Sequence, residues 1–233
     1  LTASLHTVQD GRNSAEVLNY YTGEMMTIPL DARYSAAKNA QRYFKKYSKA
    51  KTAVVEKKIQ LKETEKEIDY LDSVLTFIDN AEKVTDLDDI REELVENGVL
   101  RRRNLKEKQK KHKIQPIEYF TSTGKRILVG RNNRENDILT FKTASSRDIW
   151  MHTKDIPGSH VILFTEGEEP EEKEIFEAAS IAAYHSKAKL SGNVPVDYVK
   201  VKYVKKPNGA KPGFVIFTNN NTVYTDPAKP ETK

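Results

Sequence analysis

From Leu30 to Asn97 the chain contains neither proline nor glycine, the two residues that most readily stop or kink a helix. Within that stretch Tyr47, Val54, Leu61, Ile68 and Leu75 recur every seven residues. Ala50, Lys57, Thr64, Leu71 and Ile78 follow three residues after each. This is a coiled-coil seam of five heptads, with polar residues at two of its second core positions. The spacing predicts a helix from residue 36 to about 80, roughly 65–70 Å long at 1.5 Å per residue. A helix of that length does not fit inside a small domain and is expected to project. A second helix is expected from about Asp86, with Asp86 or Thr85 as cap and Asp88 and Asp89 at its positive end. Leu87, Ile90 and Leu94 form its stripe, and Asn97-Gly98 ends it. The two helices are expected to pair as an antiparallel hairpin, Ile68 to Ile78 facing Leu87 to Leu94. The following run, Arg101 to Lys113, either turns back along the rod or serves as a linker.

Both flanks read differently. In residues 1–35, Ala15 to Tyr21 and Met25 to Leu30 are short apolar runs around Thr22-Gly23-Glu24, which predicts a β-hairpin with a three-residue turn. After Pro116, strand-like segments occur at 117–122, 126–130, 148–153, 160–165, 196–204, 214–218 and 222–225. A short helix is expected around 137–144 and a longer one from Pro170 to Lys187. In the longer one Ile175, Ala178, Ala179, Ala182 and Ala183 form one face, and Glu171, Glu172 and Glu174 sit in the first turn. The fold class is therefore α+β, a long antiparallel helical hairpin followed by a compact mixed domain. The expected division is a β-hairpin remnant at 1–35, a coiled-coil middle with basic linker at 36–115, and the α+β domain at 116–233.

Composition narrows the chemistry. Among 233 residues 31% are charged and 37% hydrophobic, and there is no cysteine. A disulfide framework and a cysteine-ligated zinc site are thus excluded. No stretch approaches the ~20 apolar residues of a membrane-spanning helix. The chain opens on Leu1, and its first residues read as the interior of something longer. The net charge of +5 is unevenly spread. Every charged residue between Ala32 and Val55 is basic, Lys38, Arg42, Lys45 and Lys46 among them. From Arg101 through Arg102 and Arg103 to Lys113, Glu107 is the single acid. Such runs serve as a solubility device or as a polyanion-binding surface.

Two loops could carry recognition chemistry. Gly130-Arg131-Asn132-Asn133-Arg134 follows a strand and precedes a helix start. It either presents guanidinium, amide and N–H groups to phosphate, or uses its asparagines as caps in an awkward turn. It lacks the Gly-Lys-Ser/Thr of a P-loop. Further on, alternation places Asp148, Trp150 and His152 on one strand face, and Pro157-Gly158 returns the chain so that His160 sits opposite His152. Three readings stand: Trp150 in a core with hydrogen-bonded histidines, base stacking with flanking cations, or a histidine metal site of a hydrolase for which no third ligand is identifiable. His185 reads as a surface or satisfied histidine. Lys200, Lys202, Lys205, Lys206 and Lys211 around Pro207-Asn208-Gly209 form either a basic patch or a lysine-protected edge. Neither a nucleophile elbow nor a carboxylate pair is present. No catalytic residue, metal or cofactor is therefore assigned.

The segments Val129-Gly130-Arg131-Asn132-Asn133, Asn136-Asp137, Asp148 to His152, Lys154 to His160 and Val194 to Tyr198 resemble the NFACT-R domain of the NFACT proteins. Gly23-Glu24, Ile28 to Asp31 and Asn39 to Tyr47 resemble the start of that family's middle coiled coil. The resemblance covers nearly the whole chain and implies the C-terminal half of such a protein, with the N-terminal NFACT-N and helix-hairpin-helix parts absent. It implies a role in ribosome-associated quality control: binding stalled large ribosomal subunits, rRNA and tRNA, and supporting template-free alanine tailing. The family's tRNA-selecting residues belong to NFACT-N, so none is assigned here. The expected location is cytoplasmic and ribosome-associated. Some relatives are described as fibronectin-binding surface proteins, and a cell-surface adhesion module is the alternative. The candidate RNA contacts are Lys38, Arg42, Lys45, Lys46 and Arg101 to Arg103 on the helical part. In the last domain they are Arg131, Asn132, Asn133, Arg134, Trp150, His152 and His160.

Overall fold

The computed structural model describes residues 1–101 and 115–229. Arg102, Arg103 and the rest of the basic run to residue 114 lie outside the described residues. The chain forms two compact units, Leu1–Glu65 and Lys66–Lys233, which divide within one long helix.

The first unit opens with a 3-10 turn, Thr2–Thr7, followed by β1 (Ser14–Leu18) and β2 (Met25–Pro29). The strands pair antiparallel, Leu18 opposite Met25 and Ser14 opposite Pro29. The expected three-residue turn is longer, Asn19 to Glu24, because the N–H groups of both Gly23 and Thr22 bond back to the Asn19 carbonyl. Helix α1 (Ala36–Asn80) begins where the unbroken sequence predicts. The Asp10 carboxylate accepts its Ala36 N–H at 2.6 Å, and Ser35 Oγ accepts the Lys38 N–H at 3.2 Å. Buried Asn39 ties the start of α1 to the preceding loop, accepting the Asp31 N–H and donating to the Asp31 and Tyr34 carbonyls.

In the second unit, Ala81 to Lys83 connect α1 to α2 (Val84–Glu96). The helices do pair as a hairpin, but on a different face from the one the heptads predict. Tyr70, Val74, Phe77 and Ile90 are the buried residues, with Leu71 and Leu94 against them. Ile68, Leu75, Ile78 and Leu87 stay exposed, as do Val54 and Leu61 earlier on α1. The heptad seam thus has no second helix laid along it among the described residues. On this face the Glu93 carboxylate of α2 accepts the Tyr70 hydroxyl at 2.9 Å, a polar contact between the helices that the heptad seam does not offer. Helix α2 starts two residues before Asp86, whose side chain still closes the cap by accepting the Lys83 N–H. It ends at Asn97-Gly98, Gly98 in the left-handed region as expected.

The remaining residues form an antiparallel six-stranded sheet. Its strands are β3 (Ile117–Phe120), β4 (Arg126–Val129), β5 (Ile149–Thr153), β6 (Val161–Leu163), β7 (Val194–Lys200) and, after a short ribbon, β10 (Asn221–Thr225). The order is β10-β7-β5-β6-β4-β3. Between β4 and β5 lie α3 (Asn133–Ile138) and a π-helical turn, Leu139–Thr143. Between β6 and β7 lies α4 (Glu172–Tyr184). The ribbon is β8 (Val204–Lys205) with β9 (Ile216–Phe217).

Both faces of the sheet are covered. On one, Ala178, Ala179, Ala182 and Ala183 of α4 meet Ile127, Val129, Ile149, Met151, Val161 and Leu163. Methyl-sized side chains let that helix lie close to the strands. On the other, Leu139, Val201 and Val204 close over Leu128, Trp150, Ile162 and Val199. Alternation along β5 divides its residues between these two cores, which places Trp150 opposite Ile149 and Met151. Among the described residues no helix is long and apolar enough to cross a membrane.

Candidate nucleic-acid interface

In the first unit Lys38, Arg42, Lys45 and Lys46 are all exposed on α1. Arg42 is partly engaged, its guanidinium 3.0 Å from Asp31 and 4.5 Å from the Tyr34 ring centroid. Hydrogen bonds from Arg33, then Arg42, hold the Asp31 carboxyl well below the usual carboxylate range. Lys46 lies 5.7 Å from the Tyr43 ring. Lys38, Lys45 and Lys46 have no acidic partner among the described residues. Three exposed aromatics, Tyr43, Phe44 and Tyr47, alternate with them. This part of α1 therefore offers uncompensated ammonium groups for phosphate and ring faces for bases. Arg101 is also exposed, beyond α2 in the second unit.

The arginine-asparagine loop is arranged differently from a phosphate site. Asn132 caps α3, accepting the Glu135 N–H at 2.8 Å. Buried Asn133 donates to Ser73 Oγ at 2.8 Å and to Glu93 at 3.2 Å. The Arg134 N–H donates to the other Glu93 oxygen, and the Arg131 guanidinium meets Asp86 at 3.0 Å. The Arg134 guanidinium lies about 4 Å from Glu92 and Glu96. Arg131, Asn133 and Arg134 thus fasten the sheet domain to α1 and α2 while Asn132 caps α3, and carboxylates already occupy the positions that phosphates would take. Two glycines permit the fit. A Cβ on Gly130 would fall 2.2 Å from Asn136 Oδ1, the atom that accepts the His160 N–H. One on Gly213, at φ 78, would fall 2.1 Å from Asn133 Oδ1. Glu93 is 2% exposed, and burial pushes its carboxyl up while Asn133, Tyr70 and the Arg134 N–H partly offset the rise.

Trp150 is 1% exposed, so its ring is not available to a base, which corrects the stacking reading. Phe217, His160 and His152 surround it at 4.9, 5.2 and 5.9 Å between centroids. His152 does face His160, ring centroids 5.6 Å apart, and His160 Nδ1 pairs with Thr140 Oγ1 at 2.9 Å. Among the described residues no group of three histidine, aspartate or glutamate side chains converges on a metal position. Packed against Trp150, with His160 2% exposed, the histidine pair lies in the core on this face of the sheet. His185, satisfied as expected, meets the Tyr119 hydroxyl at 3.0 Å.

Burial holds His152, His160 and His185 below their usual values, His185 at about 4. A histidine depressed in the fold contributes stability that is complete above its unfolded value near 6.5 and lost as pH falls towards the folded value. For His185 alone this amounts to roughly 2 kcal/mol between pH 7 and 5. Buried Glu93 and Glu135, both raised by burial, act in the opposite sense, losing stability as pH rises. In urea titrations, His185→Gln should therefore lose about 2 kcal/mol less than the native chain between pH 7 and 5. Parallel pH dependences would contradict this.

Sequence reasoning missed the partners of the arginine loop. The signal was present in the acids Asp86, Glu92, Glu93 and Glu96 along one predicted helix, a complement to Arg131 and Arg134.

Residues 1–113 match the family model of the NFACT N-terminal and middle domains, and residues 115–219 that of the NFACT protein RNA binding domain. The Rqc2 homolog RqcH of Bacillus subtilis is 48% identical over 231 residues, covering 97% of this chain and 40% of the relative. That of Streptococcus suis is 44% identical over 235 residues, covering 100% and 42%. Among solved structures, the C-terminal part of the fibronectin/fibrinogen-binding protein of Streptococcus suis superposes with a TM-score of 0.77 at 44% identity. It covers 84% of this chain and 78% of that one. The chain spans about two fifths of the length of the curated relatives it matches. It belongs to the NFACT family.

Proposed function

We propose that this chain is the ribosome- and RNA-binding part of a ribosome-associated quality control factor. It holds stalled large subunits and tRNA in support of template-free alanine tailing, and performs no chemistry of its own. The observation that carries the reading is the exposed surface of α1, where Lys38, Lys45 and Lys46 stand among Tyr43, Phe44 and Tyr47 without acidic partners. The kinship with Rqc2 homologs and with the NFACT protein RNA binding domain supports it. The proposed location is cytoplasmic, on ribosomes.

Binding of the full chain to purified large subunits, followed by co-sedimentation, is the test. With six or more phosphate contacts the affinity should fall about a thousandfold between ~50 and ~200 mM salt. Salt-independent binding, or none at the lower salt, would refute the reading.

The likeness to a fibronectin/fibrinogen-binding protein favours a second reading, an adhesion module at the cell surface. A solid-phase assay on fibronectin, with and without nuclease, separates the two. Capture that survives nuclease at physiological salt supports adhesion, whereas capture that nuclease abolishes supports the RNA reading.

A further inference from the structure

The face of the sheet opposite α4 is closed by two chain segments. Leu139 and Ala144 from the turn after α3, and Val201, Tyr203, Val204, Val215 and Phe217 from the ribbon, cover the Trp150 core. The segments touch, the Lys202 N–H donating to the Ser146 carbonyl at 3.2 Å. Both carry charge of one sign: residues 138–147 and 198–225 contain no aspartate or glutamate. The α4 side, by contrast, carries Glu171, Glu172, Glu174 and Glu177.

Several of the cations are already committed. Lys200 pairs with Glu169 and Lys206 with Asp137, Lys211 lies 5.2 Å from the Tyr70 ring, and Arg147 sits against Gly167 in a turn flanked by Glu166 and Glu168. Lys142, Lys202 and Lys205 are exposed, with no acidic partner among the described residues, although Lys202 lies 4.9 Å from the Tyr203 ring. Phe141, which adjoins Lys142 in the chain, Phe214 and Ile216 are 39%, 41% and 52% exposed, and Ile216, two residues after Phe214, is the cross-strand neighbour of Lys205. Exposed rings on segments that carry ammonium groups without acidic partners suit a flexible polyanion with flat bases better than they suit a duplex, whose bases are already stacked.

We propose that this face binds single-stranded RNA, with Lys142, Lys202 and Lys205 on phosphates and the rings of Phe141 and Phe214 against bases. The proposal rests on the RNA-binding reading of the chain and gives the sheet domain a site in place of the arginine loop.

The test uses the full chain and a fluorescent 12-nucleotide oligouridylate, with anisotropy read across a salt series. Combined Lys142→Glu, Lys202→Glu and Lys205→Glu should weaken binding at least tenfold and flatten the salt slope by about two units, at ~0.7 per phosphate on a single strand. Phe214→Ala should weaken binding about tenfold with the slope unchanged. Lys173→Glu, on the exposed side of α4, should leave both alone. Thermal unfolding of each variant, whose altered side chains are all exposed, checks that the fold is retained. Native affinity and slope in the triple variant would overturn the proposal, as would equal competition by polyglutamate of matched charge. If the triple variant binds oligouridylate normally while large subunits still bind the native chain with steep salt dependence, this proposal fails and the ribosome reading stands.

Discussion

Reversing Lys38, Lys45 and Lys46 together to glutamate should weaken binding to large ribosomal subunits about a hundredfold near 0.1 M salt. Each ammonium group that neutralises a phosphate releases a condensed counterion, so each contributes about 0.9 to the slope of log K against log salt. Losing three lowers that slope by nearly three units, and the new carboxylates add repulsion. The three side chains are exposed and make no ion pair among the described residues. The fold should therefore remain intact, and the change reads out on binding alone. Circular dichroism of the variant checks the helix, and the salt titration checks the slope. Native binding by a folded variant would remove α1 from the interface.

The second large effect concerns stability. Glu93 accepts the Tyr70 hydroxyl at 2.9 Å, the Asn133 amide at 3.2 Å and the Arg134 N–H at 3.2 Å, in a site from which water is excluded. Glu93→Ala leaves three donors facing a cavity, each costing about 1–3 kcal/mol. Removing a carboxylate that burial already disfavours offsets part of this. Asn133 also keeps its bond to Ser73. The net loss should be about 3 kcal/mol, or a fall of roughly 6–12 °C in Tm for a unit of this size. Glu93→Gln keeps an acceptor and should fall between the two. The exposed contacts of Arg134 with Glu92 and Glu96 are worth far less, so Arg134→Gln should shift Tm by no more than a degree or two. Thermal unfolding of the three variants checks the ranking. An alanine variant as stable as the native chain would mean that the joint between helices and sheet is not held at Glu93.

Helix α1 was legible because its cause is local: sixty-eight residues without a breaker, then a capped connection and a glycine stop. The pairing face was not legible. Tyr70, Val74 and Phe77 lie off the heptad seam, and Tyr70 is held there by a hydrogen bond to Glu93, a residue the apolar pattern does not weigh. Sheet order was hidden for a related reason. Strands β4, β5 and β6 are buried on both faces apart from Arg126 and half-buried His152, so their sequences are mostly apolar and carry no mark of which neighbour each takes.

The candidate site divides the same way. Exposure of the lysines in a basic, acid-free helical stretch follows from its composition, since an unpaired ammonium group is costly to bury. The arginine loop reads identically whether its partner is a phosphate or a carboxylate. The deciding carboxylates lie about forty residues upstream, at Asp86 and Glu93. Alternation placed Trp150 on the same strand face as His152, yet could not show that this face is covered by residues 201–217, fifty positions further on.

The lysines of α1 have no acidic partners among the described residues, whereas Arg131 and Arg134 already face carboxylates of α2. Salt titration of large-subunit binding, run side by side on the Lys38, Lys45 and Lys46 charge reversal and on Arg134→Gln, tests this contrast directly. The account predicts a weaker, flatter titration for the first and a native one for the second. A native titration for the lysine variant with a collapsed one for Arg134→Gln would contradict it.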